Sequence, residues 1–104
     1  MEVRYAHPDV EKFVLRLDVQ AQAKTDRLVA FLAREGPILG MPFTKKIGPN
    51  LFELRILGTS NIRLLYTYKD TILWVVHAIS KKRDAIPARD IALAKARLRA
   101  LLHI

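Results

Sequence analysis

The sequence predicts an α+β domain, because helical patterns and strand patterns occupy separate parts of the chain. Apolar residues recur at helical spacing in the N-terminal third, and three later segments have the patterns of strands. A final segment returns to helical spacing after a proline. With 104 residues, 51% of them hydrophobic, the chain allows one domain over residues 1–104 with a core of its own.

The N-terminal third is predicted to hold a strand and one or two helices. Val3 to Ala6 suits a short strand that ends at His7-Pro8, and a helical pattern begins at Asp9. A second helical pattern ends at Gly36-Pro37, which is a strong stop signal. The residues from Leu17 to Gln22 fit either a turn between two helices or a bend in one helix.

The middle of the chain is predicted to be a loop followed by a three-stranded antiparallel meander. Leu39 to Asn50 contains two glycines and two prolines, which favour a loop. Leu51 to Leu57 and Ile62 to Tyr68 alternate their side chains as half-buried strands do. Ile72 to Ile79 is apolar almost throughout, so we expect a central strand covered on both sides.

A last helix is predicted after a charged loop, with Pro87 in its first turn. Its spacing gives an inner stripe of Ile91, Ala94, Leu98 and Leu101. Its outer side carries Arg89, Lys95, Arg97 and Arg99. We expect the helices to cover one face of the sheet, so that the other face or its rim presents Arg55, Arg63 and the basic loops.

Composition narrows the class of protein. The chain has no cysteine, which excludes disulfides and thiolate chemistry, and no apolar run approaches the roughly 20 residues of a membrane span. Charged residues stand in the N-terminal segment where a signal peptide would be apolar. We therefore expect a soluble cytoplasmic protein without a membrane partner.

The net charge of +8 is unevenly distributed along the chain. Residues 1–35 carry six basic and six acidic groups, whereas residues 36–104 carry twelve basic and four acidic groups. An excess of this kind favours a polyanionic partner, either nucleic acid or an acidic protein. The alternative is a basic surface that serves solubility alone.

An ordered series of short motifs runs from Leu39 to Arg97. It begins with LGMPFTKKIGPNLFELR and continues with Arg63 and Tyr66 in an R-x-x-Y spacing. An apolar strand that ends near His77, a Lys81-Lys82 pair and the helical sequence IALAKAR follow. In order and spacing this series resembles the RelE/HigB superfamily of bacterial toxin–antitoxin ribonucleases, especially its phage-derived HigB-like branch.

The resemblance implies a β-α-α-β-β-β core and cleavage of messenger RNA on the translating ribosome without a metal or other cofactor. It also implies neutralisation by a tightly bound antitoxin, often a helix-turn-helix protein. Two positions depart from the family pattern: Ile79 replaces an aromatic residue at the strand end, and the C-terminus offers only His103 where some relatives place a catalytic Tyr or His.

Metal-free RNA cleavage needs a base for the 2′-hydroxyl, cations for the dianionic transition state and an acid for the leaving 5′-oxygen. Arg55 and Arg63 suit the cationic role because a guanidinium stays charged and binds phosphate through a bidentate fork. Their alternative role is solubility or an ion pair with Glu53. We predict that RNA-backbone contacts come from Lys45, Lys46, Lys81 and Arg83.

The sequence offers several candidates for the groups that transfer protons. Besides the two arginines, the predicted catalytic residues are three candidates for proton transfer: Lys82, Tyr66 and His77. His103 is a further alternative for that role. Tyr66 shares strand parity with apolar neighbours, which favours core packing with its hydroxyl at the margin. His77 follows two valines, so it is either a satisfied core residue or a catalytic one. No His, Asp and Glu spacing predicts a metal site.

Four functions fit the sequence. The first is a metal-independent endoribonuclease toxin that acts on mRNA at the ribosome and is neutralised by an antitoxin. The second is the same fold acting as a gyrase inhibitor, as in ParE-like relatives. The third is an RNA-binding module without catalysis, and the fourth is a degenerate toxin that only binds an antitoxin. The arginines and lysines of the ELR, R-x-x-Y and KK motifs favour the first.

Overall fold

The computed structural model describes residues 1–40, 42–58, 61–81 and 85–103. Its strands are β1 (Glu2–Tyr5), β2 (Thr44–Gly48), β3 (Leu51–Ile56), β4 (Ile62–Lys69) and β5 (Ile72–Ser80). Its α-helices are α1 (Pro8–Leu15), α2 (Val19–Glu35) and α3 (Ala88–Leu102), and a short 3₁₀ turn, Gly36–Ile38, follows α2. The predicted α+β class, with an N-terminal strand, two helices, an antiparallel meander and a C-terminal helix, is confirmed.

The strands form one sheet in the order β1-β5-β4-β3-β2. The four strands from β2 to β5 pair antiparallel with their sequence neighbours, and β1 joins β5 in parallel. Strand β5 therefore lies inside the sheet, as its apolar sequence predicts. A bulge interrupts the register between β4 and β5, because Leu65 pairs with His77 while Tyr66 pairs with Val75.

Helices pack on both faces of the sheet. One face is covered by α1 and α2, whose Val10 and Leu32 pack with Leu54 and Leu64. The second face is covered in part by α3, whose inner stripe packs on the sheet with Leu51, Leu65, Val76, Ala94 and Leu98 in one buried cluster. The expectation that all helices share one face is therefore wrong for α3. The predicted stripe is correct, since Ala94 and Leu98 are buried.

Local capping explains where the helices begin and end. The side chain of His7 accepts a hydrogen bond from the Asp9 amide at the start of α1. The Asp18 carboxylate accepts one from the Ala21 amide at 2.8 Å and starts α2, so a turn separates the two helices. Gly36 ends α2 with a φ of 64°, a conformation that favours glycine. Among the described helices, none is long and apolar enough to cross a membrane.

Strand β2 lies where the sequence predicts a loop, and that prediction is wrong for Thr44–Gly48. The strand is at the sheet edge, and both of its lysines are exposed. An exposed edge strand lacks the apolar alternation by which strands are recognised, and charged residues are common there. Pairing with β3, from Thr44 opposite Leu54 to Gly48 opposite Leu51, is what makes it a strand.

Candidate functional site

Two arginines and a glutamate form an arginine cluster on the sheet face that α3 covers in part. Arg55 of β3 and Arg63 of β4 are direct cross-strand partners, so their side chains leave the sheet on the same side. Glu53 shares that side because it lies two residues before Arg55. The shared face that strand parity suggested for the arginines is confirmed by this register.

The Glu53 carboxylate connects the two guanidinium groups. Arg55 Nε donates to Glu53 Oε1 at 2.7 Å, and Arg63 Nε lies 3.8 Å from the same oxygen. The Glu53 side chain is 4% exposed, against 12% for Arg63 and 24% for Arg55. A buried carboxylate needs cationic partners, and two are present here. Arg63 Nη1 also donates to the Ile62 carbonyl at 3.0 Å.

This geometry suits an anion that approaches from the exposed side of Arg55. A phosphate there would meet two permanently charged guanidiniums whose positions are fixed by one carboxylate. Lys45 lies on the same face, because it is the cross-strand partner of Glu53 on β2, and it is exposed. The cluster thus places two arginines, one lysine and one carboxylate on three adjacent strands.

His77 lies on the same face but binds α3. Its Nε2 is 2.8 Å from Asp90 Oδ1, and its Nδ1 is 3.1 Å from Arg97 Nη1. Because arginine only donates, Nδ1 accepts in the contact with Arg97, and Nε2 donates to Asp90. Arg97 Nη1 also donates to the Val76 carbonyl at 3.0 Å. His77 is therefore a satisfied histidine at a helix–sheet contact, one of the two alternatives that the sequence left open.

The prediction that Arg97 lies on the outer side of the last helix is wrong. Its side chain is only 13% exposed and faces β5. The signal that could have placed it is spacing, because Asp90 and Arg97 are seven residues apart and flank Ala94 on the inner stripe. The β5 bulge supplies the other half of the contact, since it lets the consecutive residues Val76 and His77 both face α3.

Tyr66 lies on the opposite face of the sheet from the arginine cluster. It packs in the core with Leu64 and is 2% exposed, which confirms the predicted core packing. Burial raises the pKa of its hydroxyl well above the usual value, and the neighbouring Tyr68 adds to the effect. The structure does not bring Tyr66 together with Arg55 and Arg63, although the sequence grouped the three residues.

The predicted lysines are distributed over different parts of the surface. Lys45 faces the arginine cluster, whereas Lys46 pairs with Phe52 and faces the other side of the sheet. Lys81 follows β5 and is half-buried, and its backbone amide donates to the Asn61 carbonyl. Lys82 and Arg83, also predicted as site residues, lie outside the described residues.

The last histidine lies away from the arginines. His103 follows α3, and Lys69 at the end of β4 donates to the Leu101 carbonyl near that helix end. Lys69 is six residues beyond Arg63, which is about 20 Å along a strand. In the ranges that the structure describes, no group of three or more His, Cys, Asp or Glu residues is arranged to hold a metal ion.

Sequence comparison identifies related proteins for most of the chain. Residues 12–99 match the family described as Phage derived protein Gp49-like. A Mycobacterium tuberculosis protein named "Putative toxin HigB3" is 37% identical over 65 residues. That match covers 59% of this chain and 56% of the relative, so the chain spans little more than half of the relative's length.

Comparison with solved structures confirms the RelE-like fold. A chain of the archaeal RelE-RelB complex from Pyrococcus horikoshii superposes with a TM-score of 0.63 at 19% identity, covering 79% of this chain and 96% of that one. A chain of the YoeB-YefM complex from Staphylococcus aureus gives 0.59 at 18% identity, covering 75% and 93% respectively. At such identities the likeness concerns the fold alone.

Proposed function

The chain belongs to the phage-derived Gp49-like family and is a RelE/HigB-type protein, and on that premise we propose that it is the toxin of a type II toxin–antitoxin system. Its activity is metal-independent cleavage of mRNA on the translating ribosome. The observation that carries the proposal is the pairing of Arg55 with Arg63 on adjacent strands around Glu53. That arrangement suits a phosphate whose negative charge increases during reaction.

The chemistry uses the RNA's own 2′-hydroxyl as nucleophile. Its oxygen attacks the adjacent phosphorus, and the bond from phosphorus to the 5′-oxygen breaks, leaving a 2′,3′-cyclic phosphate and a 5′-hydroxyl. Arg55 and Arg63 stabilise the dianionic transition state. Lys82, which the sequence places in the catalytic set, accepts the proton of the 2′-hydroxyl, while the buried Glu53 carboxylate holds the two arginines in position. Lys45, the cross-strand partner of Glu53, donates a proton to the leaving oxygen.

The described contacts support this assignment over the other proton-transfer candidates. Both ring nitrogens of His77 are engaged by α3, and Tyr66 is buried on the opposite sheet face. Glu53 was named from sequence only as an ion-pair partner, and its central position depends on the register of β3 and β4. Lys82 and Arg83 keep their predicted roles in catalysis and RNA binding, as do Lys46 and Lys81 in RNA binding.

An antitoxin partner is part of the proposal. The structurally similar RelE-RelB and YoeB-YefM structures are complexes, and a second YoeB-YefM structure is a heterotetrameric toxin-antitoxin complex. Its matched chain has a TM-score of 0.57 at 20% identity. By the same reasoning this chain binds a cognate antitoxin, and the resemblance of its sequence favours a helix-turn-helix protein.

The proposal is tested by induced expression of the wild type, Arg55→Ala and Arg63→Ala, with growth and mRNA 5′ ends followed together. We expect the wild type to arrest growth and to produce new in-frame cuts. Each substitution should lower cleavage about 100- to 1000-fold, the typical loss when one transition-state contact is removed. Arg16→Ala, at the exposed end of α1, is the control and should behave as the wild type.

Other outcomes would favour the alternatives. Growth arrest without new mRNA ends would favour a gyrase-type target, and arrest retained by both arginine variants would remove the arginine cluster from the mechanism. Soluble protein that causes no arrest would favour a degenerate toxin or a binding module. Circular dichroism and binding of the cognate antitoxin distinguish loss of folding from loss of activity.

A further inference from the structure

An aromatic pocket lies on the sheet face opposite the arginine cluster, beyond the C-terminal end of α2. Its volume is about 430 Å³, and one wall is the segment that holds Pro37, Leu39 and Gly40. The other wall consists of residues from β2, β3 and β4, namely Thr44, Lys45, Lys46, Phe52, Tyr66 and Tyr68. Among these lining residues, only Lys45 has a part in the proposed cleavage chemistry.

Three aromatic rings contact one another in the pocket wall. Phe52 stacks on Tyr66 with ring centroids 5.5 Å apart and an interplanar angle of 25°. Tyr68 packs against both, at 6.0 Å from Phe52 and 5.7 Å from Tyr66. Tyr66 is buried, whereas Phe52 and Tyr68 are half-buried and offer part of their surface to the pocket. Aromatic surfaces of this kind stack on nucleobases without regard to sequence.

The pocket also contains polar groups that can bind a base edge. The Tyr66 hydroxyl lies near those of Thr44 and Tyr68, and burial raises the pKa of both tyrosines, so both hydroxyls stay protonated at neutral pH. Tyr68 Oη is buried, and the Tyr66 hydroxyl is its neighbour in the pocket wall. A base that enters the pocket would supply an acceptor for such a hydroxyl.

The two lysines of β2 connect the pocket with the arginine cluster. Lys45 pairs with Glu53 on the cluster side, Lys46 pairs with Phe52 on the pocket side, and both are exposed at the sheet edge. A nucleic-acid strand that crosses β2 would thus keep a cation beside its backbone on each side of the edge. An apolar peptide would gain nothing from these positive charges.

We propose that the aromatic pocket binds one base of the single-stranded RNA, next to the segment held at the arginine cluster, and that the strand crosses the β2 edge between Lys45 and Lys46. The proposal rests on the proposed function, because it names a further subsite for the same RNA. Phe52 and Tyr68 provide the stacking surface, and Lys46 contacts the adjoining phosphate.

The test is equilibrium binding of a short 2′-O-methyl RNA that carries one 2-aminopurine, whose fluorescence falls when the base stacks. The methylated RNA cannot be cleaved, so binding is measured separately from cleavage. Phe52→Leu and Tyr68→Leu keep an apolar side chain but remove the aromatic ring. Each substitution should weaken RNA binding about tenfold and reduce the quenching of 2-aminopurine fluorescence. Tyr5→Leu is the matched control, since Tyr5 is a half-buried aromatic at the opposite edge of the same sheet face.

Equal RNA binding by the wild type and the three variants would overturn the proposed base-binding role of the pocket and leave the cleavage proposal intact. Loss of antitoxin binding in Phe52→Leu and Tyr68→Leu, with RNA binding unchanged, would assign the pocket to the antitoxin and also overturn the proposal. If the wild type binds no RNA, the proposed base-binding role of the pocket is overturned as well. Mapping of mRNA 5′ ends then tests the cleavage function independently.

Discussion

At the scale of single residues, Glu53 offsets the electrostatic repulsion between Arg55 and Arg63. Like charges directly opposite each other on neighbouring strands are destabilising, and these two arginines are direct partners. The carboxylate of Glu53 lies 2.7 Å from Arg55 Nε and 3.8 Å from Arg63 Nε and is almost fully buried. One side chain therefore stabilises the fold and also keeps in position the two cations to which we assign phosphate binding.

We expect Glu53→Gln to lower the free energy of unfolding by about 3 kcal/mol, because it leaves two partly buried arginines without their counter-charge. Urea denaturation followed by circular dichroism measures the change. Glu11→Gln is the control, since Glu11 is exposed on α1 and its loss should cost less than about 0.5 kcal/mol. Equal stability of the two variants would contradict the counter-charge role of Glu53.

At the scale of elements, a polar contact holds α3 on the second face of the sheet. Asp90 in the first turn of the helix accepts from His77, and Arg97, two turns later, donates to His77 and to the Val76 carbonyl. The β5 bulge turns both sheet residues toward the helix. The contact thus fixes the position of α3 beside the arginine cluster.

Arg97→Ala should destabilise the protein by about 1–3 kcal/mol, because the Val76 carbonyl and His77 Nδ1 lose their donor. Hydrogen exchange should show reduced protection first for the backbone amides of α3 and β5. Arg99→Ala removes an exposed arginine from the same helix and should change stability by less than about 0.5 kcal/mol. Uniform exchange rates in both variants would argue against an anchoring role for Arg97.

At the scale of the molecule, the charge division of the sequence follows the architecture. The electrically balanced residues 1–35 form β1, α1 and α2, whereas residues 36–104, with all of the excess charge, include β2 to β5 and α3. The arginine cluster and the β2 lysines belong to the second part. The excess charge therefore lies on the same elements as the proposed RNA path.

RNA binding should depend strongly on salt. If three phosphates are neutralised, the affinity for single-stranded RNA falls about 20-fold between roughly 50 and 200 mM salt, since each contact contributes a slope of about 0.7. Lys46→Gln should reduce that slope by about 0.7. Arg4→Gln, on the edge strand β1 beside Glu2, should leave it unchanged. A wild-type affinity that does not vary with salt would contradict the polyanion argument.

Strand alternation and helical spacing were enough to predict every α-helix and every strand except β2, the inner stripe of α3 and the equal parity that allows Arg55 and Arg63 to share a side. These properties are local, because side chains alternate at every residue of a strand whatever its partner is. Strand β2 was missed because an exposed edge strand with two lysines has no apolar pattern. The outer position predicted for Arg97 is wrong because a charged residue is usually exposed, whereas its spacing from Asp90 puts it beside the inner stripe.

The sequence by itself determined the α+β class, the family, the uneven charge and the arginines as phosphate-binding candidates. Only the tertiary structure decided that α3 covers the second sheet face, that Tyr66 lies opposite the arginines, that His77 binds α3 and that Glu53 joins Arg55 to Arg63. The physical reason is distance along the chain. Periodicity follows from local backbone geometry, whereas register, bulges and helix packing depend on free-energy differences among residues far apart in sequence.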